Sequence, residues 1–261
     1  MPDPLGYHIT LRLEGDRNLA PTTAARRLFA RTVLEVARSF VLLACRWTDT
    51  HGHLEVLGTR KEAGELARRV QIALQHALRP GARFLPAHFT PMYTLAHVKS
   101  TFRYIMGQRE HHELTIDPRH DASNAPDLLG ARTTGLWTAV HVRQHDARLK
   151  RAHVLDALGM EDPEAIADPP LDGLADAAAA AVCLSELDGS TLGVRARIGA
   201  VHVASALTTA EIAELLALST RSIRRFRGRP ADPAVVRAIR QQLAMRVQIP
   251  HEVIDTLAAA E

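Results

Sequence analysis

Residues 40–57 read FVLLACRWTDTHGHLEVL, which divides into two strands around a short polar break. The run 40–47 is almost wholly apolar, Thr48, Asp49 and Thr50 interrupt it, and residues 53–57 resume an apolar pattern, so a β-hairpin is expected. Upstream, residues 7–13 (YHITLRL) alternate: Tyr7, Ile9, Leu11 and Leu13 fall on one side and His8, Thr10 and Arg12 on the other, as in a half-buried strand. Between them, residues 21–37 open with Pro21, Thr22 and Thr23 and set Leu28, Val33 and Val36 at helical spacing. Downstream, residues 61–78 place Leu66, Val70, Ala73, Leu74 and Ala77 on one stripe, and the Pro80–Gly81 pair ends that helix. An apolar segment at 84–89 predicts a fourth strand, and 95–105 another helix. The order β, α, β, β, α, β, α predicts an α+β fold whose most economical form is a ferredoxin-like antiparallel sheet with helices on one face.

The rest of the chain changes character. Residues 115–130 are rich in Asp, Pro, Ser, Asn and Gly and read as a surface segment closing the first domain; 137–158 read as helical; EDPEAIADPPLDG (161–173) reads as a linker. From 175 onward the pattern is all-helical. The expected division is therefore 1–130, a connector at 131–174, and a helical domain at 175–261. No internal repeat or heptad series is present.

With 46% hydrophobic and 23% charged residues in 261, the chain can bury a sizeable core, which argues against disorder. No apolar run approaches the roughly 20 residues that a bilayer requires, so no membrane partner is expected. The opening MPDPLGYHITLRLEGD lacks a basic stretch followed by an apolar one, which makes the cytoplasm the expected location. Cys45 and Cys183 sit far apart in apolar contexts and read as core residues. The net charge is only +3, yet of the 32 basic residues all but Lys61, Lys99 and Lys150 are arginine. Arg221, Arg224, Arg225, Arg227 and Arg229 cluster without an intervening acid, which points to an anionic partner.

Two motifs carry chemistry. His51 and His53 flank Gly52 at the entrance to a strand, where side chains two apart share a face and both imidazoles can reach one divalent cation. The run 209–227, TAEIAELLALSTRSIRRFR, fits a helix-turn-helix. Ala213 is small where the helices cross, Ala217 stands at the turn usually given to glycine, and Ile212, Leu215, Ile223 and Phe226 face inward. Ser219 or Thr220 starts the second helix, whose outward residues Thr220, Arg221, Ser222, Arg224 and Arg225 suit base edges and phosphates, with Arg227 and Arg229 extending the basic face. Among other histidines, His111, His112 and His120 read as a solvated loop. His141 and His145, four apart on a helix, offer two ligands without an identifiable third.

The first 130 residues resemble the HUH single-tyrosine transposases, in particular the REP-associated branch. The opening strand YHITLR, the FVLLACRWTDTHGHLEVL hairpin, FLPAHFTPM, FRYIMGQR and DASNAPDLLG occur in the family's order. The resemblance implies that His51, His53 and a third polar side chain hold Mg²⁺ or Mn²⁺ against a scissile phosphate. A tyrosine on the helix after the His-x-His strand then forms a 5′-phosphotyrosine and releases a 3′-hydroxyl. Gly52 departs from the bulky residue usual between the histidines. The helix at 61–78 contains no tyrosine; Gln71 and Gln75 stand nearest the expected positions of the nucleophile and third ligand, with Gln75 or His76 as the ligand. Tyr7 and Tyr104 match structural positions, and Tyr93 is a remote candidate for nucleophile. The stretch 194–246 resembles the C-terminal DNA-binding domain of the bacterial replication initiator.

These readings predict a transposase-derived protein that recognises a DNA hairpin, single-stranded or duplex element, with strand cleavage lost or weakened. One alternative is an active metal-dependent HUH nuclease or transposase with an unrecognised nucleophile. Another is a transcriptional regulator whose first domain is scaffold. Monomer and dimer are equally open.

Overall fold

The computed structural model describes residues 2–108, 117–145 and 149–249. The first half runs β1 (Gly6–Arg12), α1 (Thr23–Val36), β2 (Val41–Trp47), β3 (His51–Leu57), α2 (Arg60–Leu78), β4 (His88–Met92) and α3 (Leu95–Met106). The four strands form one antiparallel sheet in the order β2-β3-β1-β4. The fourth strand begins later than the sequence predicts: Phe84 makes only an isolated bridge to Leu13, and Pro86 breaks the run before pairing with β1 begins at His88.

Alternation assigns the two faces of the sheet. Ile9, Leu11, Leu42, Cys45, Leu54 and Val56 pack with Phe29, Ala30 and Val33 of α1 and Leu66, Val70 and Leu74 of α2 in one core. Threonines cap both helices: Thr22 accepts from the Ala25 amide, and Thr59 forms a reciprocal capping box with Glu62. The helices are not confined to that face. α3 carries Val98, Phe102, Ile105 and Met106 on one stripe, and these bury against Leu43, Ala44 and Met92 on the other side of the sheet. Alternation along β2 feeds both cores, and the register shift between Leu42 and Ala44 turns the adjacent Leu43 and Ala44 toward the same one, leaving Leu42 and Cys45 in the other.

Residues 117–130, expected at the surface, are largely buried. Composition misleads here because the polar groups satisfy one another and the sheet edge. Asp117 accepts from the Asp121 and Ala122 amides; Asn124 accepts from the Cys45 amide at 2.8 Å and donates to the Leu43 carbonyl at 3.0 Å, closing the outer edge of β2. A short helix follows, α4 (Ala125–Leu128), and Asp127 pairs with the fully buried Arg132. The region read as one helix at 137–158 is two, α5 (Leu136–His145) and α6 (Arg151–Leu158).

The second half packs α7 (Leu174–Ala181), α8 (Thr191–Val203), α9 (Thr209–Leu215), α10 (Thr220–Arg227) and α11 (Pro233–Val247) around Ala178, Ile198, Val201, Ile212, Ile223, Phe226, Val235 and Ile239. It is tied to the first half by charge. Asp176 on α7 pairs with Arg27 of α1 at 2.7 Å, with Arg119, and with Arg246 of α11, while Asp121 takes a second side of Arg27 at 3.1 Å. Burial alone would raise the Asp176 carboxyl, but Arg27, Arg119 and Arg246 outweigh it and hold it at about 2. Among the described residues, no helix is long and apolar enough to cross a membrane.

Candidate functional site

Strand alternation puts His51 and His53 on the face opposite Leu54 and Val56, so the pair looks toward α3 and not toward α2. Their ring centroids lie 4.5 Å apart at 80°. Cross-strand register adds polar neighbours on the same face: Thr10 and Arg46 stand opposite His53, Arg12 opposite His51, and His88 opposite Thr10. Gly52 points the other way, and a Cβ there would meet the Trp47 ring at 2.5 Å. The indole of the neighbouring strand therefore fills the space that a bulky residue between the histidines would occupy.

Each imidazole is tethered through Nδ1. That of His51 lies 3.1 Å from Thr50 Oγ1 and 3.3 Å from Thr48 Oγ1; that of His53 lies 2.9 Å from His8 Nε2. Burial, followed by the neighbouring His88, His51 and His97, lowers the His8 pKa to about 4, so this ring is neutral at pH 7.

Tyr104 on α3 completes the cluster. Its ring meets His53 edge-on at 5.5 Å and His8 at 5.9 Å, yet 43% of the residue stays exposed. Four residues on, just past the end of α3, Gln108 is fully buried, and neither atom of its amide has a hydrogen-bond partner among the described residues. Two imidazoles on one face supply two nitrogen donors of the kind that a divalent cation takes, and a carboxamide oxygen such as that of Gln108 is a donor type compatible with them. Among the described residues, no group of three or more His, Cys, Asp or Glu converges on a metal position.

The structure does not bring the other candidates to this place. α2 lies in the opposite core, where Gln75 donates to the Ala82 carbonyl and Gln71 to the Leu85 carbonyl, tying down the following loop. His76 is exposed on the same helix. Tyr93 is 42% exposed in the turn between β4 and α3. His141 packs its ring on Trp137, and its pKa is lowered by burial and then by His145. His120 is fully buried in the closing segment, and His111 and His112 lie outside the described residues. The sequence reading matched Tyr104 to a structural position and did not single out Gln108. The spacing of the two, a tyrosine near the end of α3 and an amide four residues on, is visible in the sequence.

In the second half, α9 and α10 meet at a turn in which Ala217 holds φ +49°. Thr208 and Glu211 form a capping box on α9, and Ser219 caps α10 by accepting from the Ser222 amide. Thr220, Arg221, Arg224 and Arg225 are exposed, and Ser222 is half-buried. Arg227 is committed elsewhere: its guanidinium donates to Thr209 Oγ1 and to the Leu207 carbonyl, bracing the start of α9. Arg229 is exposed just beyond α10.

No family model matches the chain, and no curated protein matches it. Among solved structures, the chain is similar to a REP-associated tyrosine transposase bound to a REP hairpin. The identity is 17%, over 42% of this chain and 70% of that one, with a TM-score of 0.36. The functional reading is therefore carried by the chain's own geometry.

Proposed function

We propose that this chain is an HUH-type DNA strand-processing protein in which Tyr104 is the nucleophile and the C-terminal helices dock duplex DNA. The observation that carries the reading is the placement of Tyr104: a half-exposed phenol packed edge-on against His53, on the sheet face that also holds His51. The expectation of lost cleavage rested on the helix at 61–78, and that helix packs on the opposite face, so its lack of tyrosine has no bearing on this site. The βαββαβ order and the β2-β3-β1-β4 sheet support a ferredoxin-like reading of residues 1–130.

Attack by the Tyr104 oxygen on the scissile phosphorus forms an O–P bond as the P–O3′ bond breaks. The phenolic proton passes to solvent and the departing 3′ oxygen takes one up, leaving a 5′-phosphotyrosine and a 3′-hydroxyl. Mg²⁺ or Mn²⁺, held by His51, His53 and the Gln108 carboxamide oxygen, would supply Lewis-acid polarisation of the phosphodiester. Packing of Tyr104 against His53 and His8 holds the ring over the pair and supplies orientation, which is worth several orders of magnitude in rate.

Residues 175–261 are read as the DNA-docking domain, with α9 and α10 as a helix-turn-helix. The left-handed turn at Ala217, the buried Ile212, Ile223 and Phe226, and the exposed Thr220, Arg221, Arg224 and Arg225 support it. Ser222 joins them at the groove, Arg229 suits a phosphate, and Arg227 serves the fold. A DNA hairpin offers both a duplex stem for α10 and an unpaired strand for the sheet face. The test incubates 5′- and 3′-labelled hairpin and single-stranded DNA with Mn²⁺ and resolves the products on a denaturing gel. A protein-linked band from the wild type, absent in Tyr104→Phe and retained in Tyr93→Phe, is expected. DNA binding without any band would return the chain to the recognition-only or regulatory readings.

A further inference from the structure

We infer that His8 is a positioning residue for His53: its ring on β1 anchors His53 Nδ1 and so turns Nε2 of His53 toward the ligand of the site. The inference rests on the reading of His51 and His53 as a ligand pair. His8 and His53 are not directly opposite in the sheet, because Glu55 faces His8 and Thr10 faces His53. Their side chains meet on the diagonal, a span that a ring can cross and a short hydroxyl cannot. The contact at 2.9 Å is a hydrogen bond between two ring nitrogens.

A neutral imidazole carries one N–H, so the bond has two arrangements. If His53 Nδ1–H donates to His8 Nε2, then Nε2 of His53 keeps its lone pair and can bind a cation. If His8 donates, Nε2 of His53 carries the proton and cannot. The neighbouring histidine indicates the first arrangement. Thr48 Oγ1 already donates to the His51 carbonyl at 2.8 Å, so toward His51 Nδ1 it can only accept, while Thr50 Oγ1 at 3.1 Å can accept or donate; the Nδ1–H tautomer of His51 is the one that satisfies both hydroxyls. The pair is then built symmetrically: threonine hydroxyls orient one imidazole, His8 orients the other, and both present Nε2. Outer partners of this kind fix tautomer and ring orientation in metal-binding histidines.

The test uses the full chain. Long-range ¹H–¹⁵N correlation spectra of the imidazoles, recorded without metal or DNA, should show His53 as the Nδ1–H tautomer. His8→Phe keeps a ring but removes the acceptor and should weaken Mn²⁺ binding, followed by the EPR signal of free Mn²⁺, about tenfold or more. His8→Gln restores an acceptor oxygen and should recover most of that loss, whereas a merely space-filling role would favour Phe over Gln. An Nε2–H His53 in the wild type, or Mn²⁺ affinity that is absent in the wild type or equal in His8→Phe, overturns the inference. The cleavage reading fails separately: no Tyr104 adduct, alongside the expected tautomer and the expected Mn²⁺ losses, sinks the nucleophile and leaves His8 in its role.

Discussion

Replacing Asp176 by Asn should loosen the attachment between the two halves by an amount that depends on pH. The carboxylate gathers Arg27, Arg119 and Arg246 from α1, the 117–124 segment and α11. Its pKa of about 2, against an ordinary 3.8, is a difference of nearly two units, each worth about 1.4 kcal/mol. The side chain is 34% exposed, so solvent screens part of that energy, and a loss of about 1–2 kcal/mol at neutral pH is the expected cost. Because the folded-state pKa is depressed, the stabilisation is complete above the unfolded value near 4 and disappears as pH falls through about 2; by pH 3 roughly half should remain. Urea unfolding of the wild type and Asp176→Asn, followed by circular dichroism at a series of pH values from 7 to 2.5, measures the gap directly. A gap of the same size at pH 3 and pH 7, or one below about 0.3 kcal/mol at pH 7, refutes the assignment of this carboxylate as a charged link.

Other outcomes follow from the same geometry. Arg224→Ala and Arg225→Ala should each weaken duplex binding and reduce the slope of log K against log salt by about 0.9, measured by fluorescence anisotropy, whereas Arg227→Ala should act mainly through the stability of α9. Ala217→Gly relieves a left-handed alanine and should raise the unfolding free energy by about 0.5–1 kcal/mol in a urea titration. Burial pushes the Cys45 thiol up to about 12 and the Cys183 thiol to about 11. Both should therefore resist a thiol-specific reagent at pH 8 in the native protein and react in urea; fast native labelling of either would contradict the buried core drawn around them.

Local periodicity made much of the fold legible. Alternation in YHITLRL and the polar break in FVLLACRWTDTHGHLEVL mark β1 and the β2–β3 hairpin because a strand's pattern is decided by its own neighbours. Which helix covers which face is a tertiary matter. α2 and α3 both carry an apolar stripe, and nothing in either says that α2 joins Leu54 and Val56 while α3 lies over the histidines. That one ambiguity is why the sequence reading looked for the nucleophile and third ligand on α2, which packs on the face opposite the histidines. The segment 117–130 was misread for a different reason: polar composition signals exposure only when side chains do not find partners, and Asp117, Asn124 and Asp127 all find them. Arg227 belongs to a charge cluster in sequence but to a helix brace in space, a distinction that needs the Leu207 carbonyl to be visible.

The side chain of Asn124 has a consequence for how the protein behaves in concentrated solution. By accepting from the Cys45 amide and donating to the Leu43 carbonyl, with the Trp47 amide donating to the Ala122 carbonyl beside it, the closing segment occupies groups on β2 that would otherwise template another chain. The opposite margin of the sheet is a five-residue strand, and Pro91 removes one donor from it. With one edge stoppered and the other blunted, the sheet offers little purchase for edge-to-edge stacking. Loss of Asn124 should therefore show first as turbidity and fibre-like association.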